Sequence, residues 1–249
     1  MAEIDFGQDA PDLLRNFRLA GCGAALVALG LAALGWGPWW LAAAAVLGFV
    51  AAYFLGLARF MVTESRSGKV RDRDSILDML TWRGDERVLD LGCGRGLMML
   101  GAAAKAGTGH VVGIDVWRAE DQAFNSPGAT LANARLAGVA DRVEVVTGDM
   151  RDLPFADASF DIVLSAWAVH NIDDADQRLR ALAEAARVLR PGGWLALTDI
   201  ALRQDYADAL PGLGFEQVRI VVLHPVRDRV LRLLTFESFA PATVLARRV

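Results

Sequence analysis

Residues 88–96 read VLDLGCGRG, and the reading of this stretch decides the fold. An apolar run, Val88 to Leu91, is broken by glycines at 92, 94 and 96, and LMMLGAAAKA follows with helical character. A glycine-rich turn from strand to helix lets a ligand touch the backbone and sets it at the positive end of the helix. The spacing is Gly-x-Gly-x-Gly, and Asp90 stands two residues before Gly92. A dinucleotide fingerprint wants Gly-x-Gly-x-x-Gly, with no acid needed on the strand. A carboxylate at 90 repels a phosphate and suits a ligand that carries an ammonium and a sulfonium.

Outward from the loop, strands and helices alternate as βα units. Strands are expected at 88–92, 110–115, 142–148, 161–166, 194–199, 215–223 and 242–249, and helices at 96–106, 127–137, 174–190 and 203–213. Ser126-Pro127 reads as a helix start and Pro191-Gly192-Gly193 as a helix stop. The first five strands lack strict alternation, as a parallel sheet covered on both faces requires. The last two have no evident helix between them and read as an antiparallel hairpin. A further amphipathic helix is expected around Asp74 to Trp82.

With these segments in order, residues 68–249 resemble the class I S-adenosylmethionine-dependent methyltransferases. LDLGCGRG, VVGIDVW, TGDMRDLPF, FDIVLSAWAVHNI and RVLRPGGWLALTD carry the resemblance, which lies nearest the small-molecule and lipoquinone branch. It implies an α/β, Rossmann-like, seven-stranded and mostly parallel sheet of order 3-2-1-4-5-7-6, with strand seven antiparallel. It also implies S-adenosyl-L-methionine as cofactor. Gly92, Gly94 and Gly96 would make room for the methionine portion, and Asp90 would hold its amino end. Asp115 would fix the ribose hydroxyls, with Val116 and Trp117 against adenine. Asp149 would meet the adenine amine with Met150 beside it, and Ser165 and Trp167 would close the pocket near the methyl group. Taken singly, these positions also read as turn glycines, capping aspartates and core aromatics.

Methyl transfer from a sulfonium is an in-line displacement, helped mainly by alignment in a dry pocket. A base is needed only when the acceptor must lose a proton. Of three histidines, only His170 falls just past strand four, where acceptor and methyl meet in the resembled fold. It reads as a general base or as a capping hydrogen-bond partner, and Asn171 beside it as an orienting group for substrate or loop. The nucleobase- and amide-methylating branch carries a Pro-Pro-aromatic run after strand four; here Ala-Trp-Ala follows Ser165. Residues 116–130, with Asp121, Gln122 and Asn125, form a polar loop or a small lid.

The N-terminal quarter is different in kind. Residues 19–58 carry no charged side chain, and Gly-Trp-Gly-Pro at 35–38 breaks them into two segments, each near the ~20 residues that cross a bilayer. Both are apolar all round. Gly21, Gly23, Ala24 and Ala28 would let the two helices approach closely. Arg15 and Arg18 precede the run, Arg59, Arg66, Lys69, Arg71 and Arg73 follow it, and the turn holds no basic residue. Positive charge stays cytoplasmic, so both termini and the enzyme domain are expected on the cytoplasmic side of the inner membrane. Trp36, Trp39 and Trp40 are then expected at the far interface. The expected organisation is a cytoplasmic segment 1–18, an all-α transmembrane hairpin 19–62 and the methyltransferase domain 63–249. A re-entrant hairpin and a helical pair buried in an oligomer interface are the alternatives. Ser65 to Lys69 would contact cofactor or headgroups.

The chain has 249 residues, 54% hydrophobic, with net charge −4 and mean hydropathy +0.30. No basic stripe is present, which argues against a nucleic-acid partner. Cys22 and Cys93 form no framework, and no metal site is expected. The expected partners are the lipid bilayer and a lipophilic small-molecule substrate, such as a quinone precursor or phospholipid, with the oligomeric state open. A tethered enzyme for a soluble metabolite and an inactive cofactor-binding scaffold are the competing readings.

Overall fold

The computed structural model describes residues 4–34, 37–64, 68–235 and 241–249. Trp36 and residues 65–67 of the connector, both given roles by the sequence reading, lie outside the described residues. The chain divides into two units. One holds Val70–Trp117, Asn125–Val249 and the N-terminal residues up to Phe6; the other holds Gly7–Lys69 and Arg118–Phe124.

The second unit is a helical pair, α1 (Pro11–Leu34) and α2 (Pro38–Thr63). Leu14, Gly21 and Ala28 are buried along α1, and Ala51 and Ala58 along α2. These positions recur every seven residues, the spacing of a left-handed coiled pair. Gly21 makes the close approach possible, because a Cβ there would lie 2.7 Å from Leu55 Cγ. Gly23 faces open space and plays no such part. The Phe17 and Phe54 rings meet at 5.7 Å. Leu19, Leu26, Leu29, Leu41, Val46 and Phe49 point outward. Both helices are long and apolar enough to cross a membrane by length and composition, and 6% and 11% of their most apolar windows are buried within the protein. Residues 118–124 are stitched to the strap before α1: Ala123 N donates to Gln8 O (3.0 Å), Ala10 N to Asp121 O (3.1 Å) and Gln122 Nε2 to Asp9 Oδ1 (3.2 Å). Buried Lys69 closes this knot on Asp9 at 3.1 Å.

The first unit is the α/β fold expected from the sequence. Its strands are β1 (Arg87–Leu91), β2 (His110–Asp115), β3 (Val143–Thr147), β4 (Phe160–Ala166), β5 (Leu189–Asp199), β6 (Phe215–Val221) and β7 (Ala242–Arg248). They form one sheet of order β3-β2-β1-β4-β5-β7-β6, parallel except for β7, which is antiparallel to β5 and β6. Leu89, Leu91, Val112, Val163, Leu195 and Val244 face one core, and Val88, Val111, Ile162, Leu164, Ala196 and Leu245 the other. Both faces are therefore covered, which is why these strands read as continuous apolar runs.

The helices are α3 (Lys69–Leu77), α4 (Leu97–Lys105), α5 (Pro127–Leu136), α6 (Ala175–Val188), α7 (Arg203–Ala209) and α8 (Pro225–Leu234). Ser126 accepts from Ala129 N and caps α5, with Pro127 in its first turn, as the sequence indicated. Three expectations need correction. Helix α3 lies earlier than 74–82; it ends at Leu77, whose carbonyl accepts from Trp82 Nε1 at 2.8 Å. Pro191-Gly192-Gly193 does not stop a helix but lies inside β5, because Leu189 already pairs with Phe160. Finally, β6 and β7 are not joined by a bare hairpin turn: α8 lies between them.

Candidate active site

The carboxyl ends of β1, β2, β4 and β5 meet at one edge of the sheet, level with one another by the register Leu91↔Ile114, Leu91↔Ser165 and Ala166↔Thr198. The glycine loop follows β1. Gly92, Gly94 and Gly96 have φ of +70°, +49° and +90°, in the left-handed region that side chains disfavour. Gly92 is also walled in: a Cβ there would lie 2.3 Å from Ala168 Cβ and 3.4 Å from Met150 Cε. Gly92→Ala should therefore cost about 1–3 kcal/mol and abolish ligand binding, since both backbone strain and a clash act at one point. Gly128→Ala, in open space on α5, should be neutral or stabilising by up to ~1 kcal/mol. Thermal unfolding of both variants checks the contrast; equal losses would overturn it.

Asp90 lies beneath the loop and is 1% exposed. Its Oδ2 accepts from Met99 N at 2.9 Å, so it caps the first turn of α4 from the preceding strand. Its Oδ1 is buried and has no hydrogen-bond partner among the described residues. Burial, reinforced by the neighbouring Asp115, pushes its carboxyl up to about 8 despite the Met99 N–H. Burial likewise raises the Cys93 thiol well above its ordinary value.

Asp115, ending β2, accepts from Gly94 N (2.8 Å) and Trp117 N (2.6 Å), with Asn125 Nδ2 at 3.4 Å. It thus fixes the glycine loop and the turn after β2 together. Asn125 Oδ1 is a second buried acceptor without a partner among the described residues. Val116 is about half exposed, and Trp117 donates from Nε1 to Thr147 Oγ1 at 2.8 Å. Trp117 and Trp167 hold φ of +62° and +54°, so two bulky residues occupy the left-handed region after β2 and β4. Such strain concentrates at functional sites.

Asp149 lies against its own neighbour: the Arg151 amide and guanidinium both donate to its carboxylate, the amide at 2.9 Å. Ser165 is buried, and its hydroxyl donates to Leu91 O at 2.9 Å, tying β4 to β1 at the start of the loop. Trp167 is half-buried, with its amide on Thr198 O at 2.8 Å.

His170 lies in a 3₁₀ turn (Val169–Asn171) after β4 and is half-buried. Its Nδ1 stands in contact with Asp199 Oδ1, and its amide donates to Asp199 Oδ2 at 3.0 Å. Asp199, at the end of β5 and 1% exposed, also accepts from Tyr206 OH at 3.0 Å and from Ile200 N at 2.8 Å. Burial first, and then the Asp199 charge, hold the Tyr206 phenol far above its usual range, so it stays a donor. Asn171 donates its amide to Ala168 O at 3.1 Å. Nδ1 is buried against the Asp199 carboxylate without a hydrogen bond in this geometry; a proton on Nδ1 would face that negative charge and leave Nε2 as the accepting nitrogen.

The sequence reading missed Asp199 and Tyr206, and also the α5 supports of the loop. Thr130 Oγ1 donates to Gly94 O at 2.6 Å, and Asn133 Nδ2 to Arg95 O at 2.9 Å. Arg95 in turn binds Asp5 at 3.0 Å. Thr and Asn on a helix otherwise poor in apolar periodicity were the available signal.

S-adenosylmethionine fits these residues. Two unmet buried acceptors, Asp90 Oδ1 and Asn125 Oδ1, suit a ligand that brings donors and positive charge. The cofactor supplies a methyl group already activated on a sulfonium. Among the described residues, no group of three or more His, Cys, Asp or Glu could hold a metal ion.

Known proteins agree with this geometry. Residues 89–197 match a family described as "Methyltransferase domain". The chain is 39% identical over 134 residues to the 27-O-demethylrifamycin SV methyltransferase of Amycolatopsis mediterranei, covering 52% of this chain and 44% of that protein. It is 33% identical over 129 residues to a ubiquinone/menaquinone biosynthesis C-methyltransferase of Roseobacter denitrificans, covering 52% and 48%. The chain therefore spans about half the length of the curated relatives it matches. In fold it is similar to a geranyl diphosphate C-methyltransferase from Streptomyces coelicolor, with TM-score 0.60, 18% identity and coverage of 76% of this chain and 82% of that one. Sheet order, glycine loop and the matched residues 89–197 together support a class I S-adenosylmethionine-dependent methyltransferase domain in this chain.

Proposed function

We propose that the protein is a membrane-associated methyltransferase that moves the methyl group of S-adenosylmethionine to a lipophilic small molecule. Asp90 receives the ammonium of the cofactor, Asp115 and Asn125 the ribose, and Trp117 the adenine. His170 takes the acceptor's proton through Nε2, and Asp199 holds the imidazole in the tautomer that leaves that nitrogen open. The observation that carries the transferase reading is the unmet buried carboxylate oxygen of Asp90 at the same sheet edge as the His170–Asp199 pair. The lipophilic acceptor draws support from α1 and α2, both apolar enough to span a bilayer. A tether shared with a bilayer-dissolved substrate raises effective concentration without new contacts. Relatives named for ubiquinone, menaquinone and rifamycin substrates support the same class. Basic residues flank the uncharged run 19–58 and are missing from its turn, which favours both termini and the catalytic unit on the cytoplasmic side.

Full-length protein incubated with methyl-labelled cofactor and total membrane lipid extract tests the proposal. Label is expected in the organic phase. Label confined to water-soluble products would overturn the lipophilic acceptor, and no transfer from either pool would overturn the enzymatic reading.

A further inference from the structure

Helix α8 (Pro225–Leu234) carries an exposed apolar stripe beside a buried ionic cluster. Asp228 is 3% exposed and accepts from Arg227 Nε at 3.0 Å, while Arg227 also reaches buried Asp72 at 3.3 Å and His224 Nε2 lies 2.8 Å from the same Asp72. Its outward side is apolar. Val226 is 80% exposed, Val230 51% and Leu233 71%, at the i, i+4, i+7 spacing of one helical face. A soluble helix of this length normally turns such a stripe into the core. Here the Asp72–His224–Arg227–Asp228 cluster holds the helix with Val226, Val230 and Leu233 outward.

We propose that α8 is a lipid-docking element, in which Val226, Val230 and Leu233 enter the interfacial layer of an anionic bilayer and Arg229 meets its headgroups. The inference rests on the membrane-associated reading proposed above. Charge complementarity selects this occupant: the acid of α8 is buried in the ionic cluster, whereas Arg229 is exposed beside the apolar stripe. An apolar stripe with arginine beside it, on a helix whose one acid, Asp228, is buried, matches an anionic lipid surface. Position agrees. Val221 ends β6 opposite Thr243, and Ala242 pairs with Asp199, so α8 leaves and returns at the sheet edge that carries His170 and Asp199. Its anchor Asp72 lies on α3, the element next in the chain after α2. Docking through α8 would hold the acceptor side of the site against the layer in which a lipophilic substrate is dissolved.

The test uses the full chain in vesicles of phosphatidylcholine and phosphatidylglycerol, with Cys22→Ser removing the exposed thiol. An environment-sensitive fluorophore is placed singly at Val230→Cys, Leu233→Cys, Trp39→Cys on α2, and Leu179→Cys on α6 as an exposed reference. The expected result is a blue shift and severalfold stronger quenching by spin-labelled lipid at 230 and 233 than at 179, weakened in phosphatidylcholine alone, with 39 also quenched. If 39 is quenched while 230 and 233 remain aqueous, lipid docking by α8 fails and the helical-pair reading survives. If none is quenched, both fail. A blue shift at 230 without lipid quenching would mean that protein covers the face, a second copy included, and would also overturn the inference.

Discussion

Asp90→Asn is expected to stabilise the protein while weakening cofactor binding. The sign follows from linkage. Unfolded, the carboxyl ionises near 3.8; folded, burial raises it to about 8. The folded state therefore prefers the protonated acid, and the stability this preference gives is complete below 3.8 and lost as pH rises to about 8. Asparagine keeps an oxygen for Met99 N but cannot ionise. Its advantage over the wild type should be absent near pH 4, grow up to pH 8 and be constant above, reaching on the order of 5 kcal/mol for the whole shift from 3.8 to about 8. Affinity for S-adenosylmethionine should fall ~10–100-fold, the loss of a hydrogen bond to a charged partner in a buried site. Thermal unfolding across this pH range reads the first effect. A variant less stable than the wild type at pH 8 would show that the Asp90 charge supports the fold, contrary to this account.

The second large effect is on turnover. His170→Asn should lower kcat by ~10²–10⁴-fold, the usual contribution of a positioned base. Cofactor affinity should stay within about twofold, because none of the groups assigned to cofactor contact is altered. Asp199→Asn removes the carboxylate behind Nδ1 and leaves an amide that can present its N–H to the ring. It should lower kcat comparably, and the double variant should be little worse than either single one. Tyr206→Phe deletes only the phenol donor and should cost about 1 kcal/mol of stability and less than tenfold in rate. Single-turnover kinetics separates these effects from binding. An unchanged kcat in His170→Asn would mean that the acceptor needs no base and that the His170–Asp199 pair is structural.

The strands were legible because β1, β2 and β4 are buried on both faces and so read as apolar runs, whereas their order followed from the family resemblance that the loop at Gly92, Gly94 and Gly96 opened. Asp90 and Asp115 stood at strand ends, where an acid has few structural reasons to be. The parts that escaped share a cause: their partners are distant in sequence. Asp199 lies 29 residues from His170, and a strand-terminal acid in LTD reads equally well as a turn. Thr130 and Asn133 support the glycine loop from another helix. Helix α8 was invisible because periodicity assumes that the apolar face points inward, whereas PVRDRVLRLL buries Asp228 and exposes Val226 and Leu233. The charged KVRDRDSIL of α3 moved its expected start downstream for a similar reason.

Calorimetric titration of the full-length protein with S-adenosylmethionine near neutral pH, in two buffers of different ionisation enthalpy, tests the central claim most directly. Because Asp90 is largely protonated before binding and meets a cation afterwards, the account predicts tight binding with a proton released to buffer. It also predicts that Asp90→Asn binds weakly and releases none. Equal affinity in the two proteins, or binding without proton release in the wild type, would contradict it.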